Sequence, residues 1–133
     1  MAGEARLVFP PAQANTRWHQ ASRCDAPEPS GVAAKLFVLD NYDSFTFNLV
    51  QMFRVYPLEV VVVRADKITV EDVAALRPDY IVVSPGPKDP QAAGISVPLI
   101  QRLHKDFPIL GVCLGMQSMN EAFGGITVRA PLP

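Results

Sequence analysis

The sequence predicts an α/β fold in which a parallel sheet carries helices on both faces. Three observations support this. Short apolar runs rich in β-branched residues recur along the chain, amphipathic stretches separate them, and capping or turn residues mark the junctions. An apolar run without polar alternation suits a strand covered on both sides. Regular strand–helix alternation implies right-handed crossovers between parallel strands.

Each element has its own signal. Leu36, Phe37, Val38 and Leu39 read as a first buried strand. Asp43 or Ser44 can cap a helix whose apolar residues Phe45, Leu49, Met52, Phe53 and Tyr56 recur at near-helical spacing. Residues 60–63 are four consecutive valines, the clearest strand in the chain. Thr69, followed three residues later by Asp72, predicts a capped helix through Leu76, and Pro78 clears the way for a strand at 80–83. Ser96 with Pro98 in the first turn opens a third helix carrying Leu99, Ile100 and Leu103. Residues 108–112 form a fourth strand, and 114–123 a fourth helix stopped by Gly124 and Gly125. Ile126, Thr127 and Val128 suit a fifth strand or the start of an edge.

Residues 1–35 differ in character. Pro10, Pro11, Pro27 and Pro29 punctuate small and mixed-charge residues with no sustained period. A disordered leader is expected there, with 36–133 forming the folded domain. Arg6, Arg17 and Arg23 leave a transit peptide as an alternative, against which Glu4, Asp25 and Glu28 count.

Composition narrows the function. A net charge of -1 offers no basic excess for nucleic acid or an anionic membrane. No apolar run approaches the length of a bilayer span. Cys24 and Cys113, the only cysteines, lie in unlike segments, so free thiols in a reducing cytoplasm are expected.

Sites in such sheets form at the carboxyl ends of strands, which points to the loops at 41–44, 84–94 and 113–115. The last is the most informative. Gly111-Val112-Cys113-Leu114-Gly115 has a nucleophile flanked at both second positions by glycine, between a buried strand and a helix. That is the setting of a nucleophile elbow. The helix N-terminus favours thiolate over thiol, and the Leu114 N–H can donate to an oxyanion. In the second loop, prolines on both sides of Gly86 make a stiff turn whose N–H could complete an oxyanion hole. Taken singly, a buried core cysteine and an ordinary Pro-Gly turn would explain these two segments as well.

Taken together, the motifs are more specific. Residues 40–49, beginning Asp40-Asn41-Tyr42-Asp43-Ser44-Phe45, precede Ser84-Pro85-Gly86-Pro87 and then Gly111-Val112-Cys113-Leu114-Gly115-Met116-Gln117. In this order and spacing the chain resembles class I glutamine amidotransferases, of the kind forming the glutaminase subunit (component II) of anthranilate synthase or aminodeoxychorismate synthase. The resemblance covers everything after the leader. It implies a flavodoxin-like arrangement, glutamine as substrate and a chorismate-using synthase as partner, with neither metal nor cofactor. Carried over by position, it implies that Cys113 forms a γ-glutamyl thioester and that Gly86 and Leu114 are the oxyanion donors. Gly86, Pro87, Lys88 and Gln117 would line the substrate site. Lys88 stands where the family often has glycine, and Met116 where histidine is common. A γ-glutamyl hydrolase and a flavodoxin-like nucleotide binder are weaker alternatives.

A thiol nucleophile also needs a base. His19 lies in the leader, and His104 precedes the strand that Cys113 follows, roughly 15 Å or more away at the strand's other end. The resemblance places the family's catalytic His and Glu in a later segment than Pro133. The chain is therefore expected to be the truncated, N-terminal part of such a domain. By itself it should be inactive, or a remnant that only docks on the synthase.

Overall fold

The apolar runs of the sequence become strands of one sheet. The structure, a computed structural model, describes residues 6–9 and 33–128. In chain order the elements are β1 (Arg6–Phe9), β2 (Ala34–Asp40), α1 (Thr46–Phe53), β3 (Leu58–Arg64), α2 (Val70–Ala75) and β4 (Tyr80–Val83). A short 3-10 turn (Pro90–Ala92), α3 (Ser96–Leu103), β5 (Ile109–Gly111) and α4 (Leu114–Ala122) follow. The sheet order is β1-β3-β2-β4-β5. β3, β2, β4 and β5 are mutually parallel, and β1 runs antiparallel along the outer side of β3.

Alternation along the strands divides the core between two faces. Phe37, Leu39, Val61, Val63, Ile81 and Val83 point to one face, where Val70, Val73, Leu99, Ile100 and Leu103 from α2 and α3 cover them. Met119 and Ala122 of α4 pack against the same cluster. Leu36, Val38, Val60, Val62 and Val82 point to the other face, with Val50 and Phe53 of α1. The strands are apolar on both sides because helices lie on both sides, as the sequence predicted.

Four local details depart from the sequence reading. The expected leader contains a strand, since Arg6–Phe9 pairs with Val60–Val63 in register, and β2 starts at Ala34. Four residues between prolines carry no period long enough to announce an edge strand. The rest of that segment, including Cys24 and His19, lies outside the described residues.

In α1 the buried residues are Thr46, Leu49 and Val50, while Phe45, Met52 and Tyr56 are exposed. Thr46 turns inward because its hydroxyl donates to the buried Asp40 carboxylate at 2.9 Å. That rotates the predicted apolar stripe partly outward. Asp43 accepts the Phe45 N–H at 2.7 Å in a local turn and does not cap the helix. Ile126–Val128 forms no strand, and Ile126 and Val128 are exposed. The Thr69–Asp72 capping box, in contrast, is present in both directions. No helix among the described residues is long and apolar enough to cross a membrane.

Candidate active site

Parallel strands bring their carboxyl ends to one edge, so Asn41 after β2, Ser84 after β4 and the loop after β5 open on the same side. The strand order reverses at β2, whose sequence successor β3 lies on one side and β4 on the other. A crevice between β2 and β4 is the usual binding place in such sheets. Here the protein's own polar groups fill it. The Asn41 N–H donates to Ser84 Oγ at 2.9 Å, and Asn41 Nδ2 donates to the Ser84 carbonyl at 3.1 Å. Ser96 Oγ donates to Asn41 Oδ1 at 3.1 Å from the first residue of α3. Asn41, Ser84 and Ser96 are all buried. The sequence reading gave Asn41 and Ser84 no role beyond their loops and Ser96 only the start of a helix, although Asn41 and Ser84 each lie just past an apolar strand.

With that crevice closed, the next pair of loops meets. A Cβ placed on Gly86 would overlap Leu114 Cδ2 and stand 2.8 Å from Asn41 Cβ. Gly86 therefore abuts the residue that follows Cys113, and this contact requires the missing side chain. Its φ lies outside the left-handed region, so packing rather than torsion selects glycine. Lys88 likewise has no positive φ, and the backbone there accepts a side chain without strain.

Cys113 is the N-cap of α4 with φ 53° and ψ −107°. A non-glycine residue held at such angles costs about 1–3 kcal/mol and needs its surroundings to enforce it. The enforcement is visible. The Val112 N–H donates to the Val83 carbonyl at 3.0 Å, anchoring the chain just before the turn. After it, the Gly115 N–H bonds Val112 O at 3.0 Å and the Gln117 N–H bonds Cys113 O at 3.1 Å. Gly111 and Gly115 let the helix start lie directly on the strands. A Cβ on Gly111 would stand 2.5 Å from Gly115 C and O, and one on Gly115 would overlap Val83 O. The thiol makes no side-chain cap bond, is not in a disulfide and is exposed.

As the first helical residue, Leu114 has an N–H with no intrahelical acceptor. Gln117, half-buried, follows Cys113 by four residues and so lies over the same helix face. Cys113, Leu114, Gly86 and Gln117 thus share one edge of the sheet, and Pro87 and Lys88 extend from it as exposed residues.

Beside this group is a shallow cleft of about 100 Å³ whose lining includes Asn41, Tyr42, Asp66, Lys88, Gly94 and Leu114, but not Cys113. Tyr42, at φ 65°, donates its hydroxyl to Asp66 at 2.5 Å, and the Arg64 guanidinium stands 4.8 Å over its ring. The shared hydrogen bond holds the Asp66 carboxyl below its usual range and pushes the Tyr42 phenol above its own.

His104 is remote from Cys113. It caps the C-terminal end of α3, Nδ1 lies 3.1 Å from the Ile100 carbonyl and 3.0 Å from that of Gln101, and its ring meets Phe123 edge-on at 5.1 Å. Phe123 is the C-cap of α4 and Cys113 its N-cap, so His104 lies at the opposite end of that helix from the thiol.

Comparison with known proteins agrees with the motifs. Residues 37–132 match the family model Glutamine amidotransferase class-I. The chain is 55% identical over 95 residues to anthranilate synthase component 2 of Pseudomonas aeruginosa, covering 71% of this chain and 47% of that protein. It is 52% identical over 95 residues to aminodeoxychorismate synthase component 2 of Escherichia coli, covering 71% and 51%. The chain thus spans about half the length of the curated relatives it matches. Among solved structures, a GMP synthase subunit from Thermoplasma acidophilum superposes with a TM-score of 0.57. It shares 24% identity over 70% of this chain and 46% of that one, a likeness of fold alone.

Proposed function

The chain belongs to the class-I glutamine amidotransferase family, and from that premise we propose that it carries the nucleophile half of a glutaminase subunit supplying ammonia to a chorismate-using synthase. The observation that carries the reading is the strained, exposed Cys113 at the start of α4, with Gly86 packed against Leu114 beside it.

The chemistry is acyl transfer. Cys113 Sγ attacks the side-chain amide carbon of glutamine, and the carbonyl oxygen becomes an oxyanion facing the N–H groups of Gly86 and Leu114. The C–N bond breaks, ammonia leaves with the thiol's proton, and a γ-glutamyl thioester remains. Water then splits the thioester, giving glutamate and restoring the thiol. Gln117, Pro87 and Lys88 flank the place the amino acid would occupy. The names of the relatives, each a component 2 of a synthase, support a heteromeric partner that consumes the ammonia. A reducing, cytoplasmic setting suits a catalytic thiol.

Proton transfer needs a base; among the described residues the only histidine is His104, whose ring is held on the carbonyls at the end of α3. Residues 1–133 alone are therefore expected to be modified at Cys113 without sustained glutamine turnover. The test treats the purified chain with a chloroketone analogue of glutamine. Labelling should fall on Cys113, outpace that of a free thiol, be slowed by excess glutamine, and vanish in Cys113→Ala. Labelling at the free-thiol rate and indifferent to glutamine would overturn the assignment. Robust glutamine hydrolysis that depends on Cys113 would overturn the expectation of inactivity.

A further inference from the structure

An oxyanion donor is useful only if its N–H holds one direction, and the bonds around Ser84 supply a means. Ser84 is fully buried at the end of β4. Its N–H donates to the Leu39 carbonyl at 3.1 Å, and its carbonyl accepts from Asn41 Nδ2 at 3.1 Å. Its hydroxyl oxygen accepts the Asn41 N–H at 2.9 Å and donates its own proton to the Pro85 carbonyl at 2.9 Å. Every polar atom of Ser84 is thus engaged, and the last bond reaches the peptide that carries the Gly86 N–H.

A peptide unit is planar, and in the trans form its C=O and N–H point in opposite directions. The described residues contain no cis peptide bond. Pinning the Pro85 carbonyl therefore also sets the direction of the Gly86 N–H. We infer that Ser84 is a positioning residue whose hydroxyl locks the Pro85–Gly86 peptide in the orientation that oxyanion stabilisation uses. Asn41 backs it by holding Ser84 in place, and Ser96 backs Asn41. Glycine at 86 has no side chain to restrict its own rotation, so the restraint comes from outside it. This inference rests on the proposed role of Cys113 and Gly86.

The experiment compares the chain with Ser84→Ala, using Thr69→Ala as a control that loosens the distant α2 cap. Two thiol reagents are used. The glutamine chloroketone reacts through an oxyanion-bearing adduct, whereas iodoacetamide reacts by direct displacement. Ser84→Ala should slow the chloroketone about tenfold or more, as expected for a weakened oxyanion donor, while iodoacetamide changes less than about twofold on the same ground. Thr69→Ala should leave the ratio of the two rates unchanged. In a ¹⁵N spectrum, the Gly86 amide of Ser84→Ala should show exchange broadening absent from the parent.

A sharp, unshifted Gly86 signal in Ser84→Ala would overturn the pin, whatever the reactivity shows. An equal fall of both rates would also overturn it, by assigning Ser84 a merely structural role. A parent ratio no higher than that of a free thiol would instead remove the proposed active site, and the inference with it.

Discussion

Replacing Gly111 by alanine sets two opposing effects against each other. Within a strand, alanine gains roughly 0.5–1 kcal/mol over glycine, because glycine loses more backbone freedom on folding. Against this, a Cβ at position 111 would stand 2.5 Å from both the carbonyl carbon and oxygen of Gly115 and 2.7 Å from Met116 N. These are backbone atoms of α4, so no side chain can swing aside. Moving from 2.5 Å to the 3.4 Å of ordinary contact needs the first turn of α4 to separate from β5 by nearly 1 Å. Overpacking of this kind costs about 1–3 kcal/mol, and contacts this short with immovable backbone belong in the upper half of that range. The net effect is a destabilisation of about 1–2 kcal/mol, from a cost of about 2–3 less a gain of about 1. With a urea slope of about 1.5 kcal/mol per molar, the unfolding midpoint followed by circular dichroism should fall by about 1 M. The same displacement draws Cys113 and the Leu114 N–H away from Gly86. A misplacement of about 1 Å can cost about a hundredfold in a positioned reaction, so chloroketone labelling of Cys113 should slow at least tenfold on that scale. A Gly111→Ala chain as stable as the parent, or more so, would refute the view that the flanking glycines exist for close approach of helix and strand.

Three further outcomes are expected. Asn41→Ala leaves the Ser96 hydroxyl and the Ser84 carbonyl without their partners in a buried site, which should cost about 1–3 kcal/mol in the same urea assay. Leu99→Ala opens a cavity under α3, where Leu99 is fully buried, and should cost about 2–5 kcal/mol; a loss well below that range would mean the helix collapses onto the sheet. The Tyr42–Asp66 bond should show at both ends of the pH scale. Because the Asp66 carboxyl is held low, its contribution to stability is present above the ordinary carboxylate value and fades as pH falls through the lowered one. Because the Tyr42 phenol is held high, its contribution is present below the ordinary phenol value and is lost as pH rises through the raised one. Ultraviolet titration should reveal a late phenolate component that disappears in Tyr42→Phe and moves earlier in Asp66→Asn.

The parallel strands were legible because burial on both faces leaves a run such as residues 60–63 no room for a polar residue. The capping box at Thr69 was legible because both of its partners lie within four residues. The orientation of α1 was not, because it depends on a tertiary bond from Thr46 to Asp40 that no helical period encodes. β1 was hidden for a similar reason: its pairing with β3 joins segments more than 50 residues apart. At the site, the elbow was legible from its glycines because they flank the cysteine within two residues on each side, although Gly115 also clears space for Val83 of β4. The Asn41–Ser84–Ser96 network was not, since its members meet only after β2, β4 and α3 are packed.

Among the described residues, the three non-glycine positions at positive φ separate structural strain from strain that presents a group for reaction. Arg77 lies just past the end of α2, where a left-handed residue commonly closes a helix, and its N–H bonds the Ala74 carbonyl at 3.1 Å. Tyr42 is held from several sides, since its N–H bonds Asp40, its hydroxyl bonds Asp66, and Arg64 lies over its ring. In both cases the unusual backbone ends or fastens an element. At Cys113 the backbone is equally constrained, by bonds at Val112, Gly115 and Gln117, yet the side chain is left uncommitted and exposed. A residue chosen only for the turn would be glycine, which adopts these angles without strain. That a cysteine occupies the position, with glycines at 111 and 115 clearing the space around it, argues that the turn is built to present the thiol.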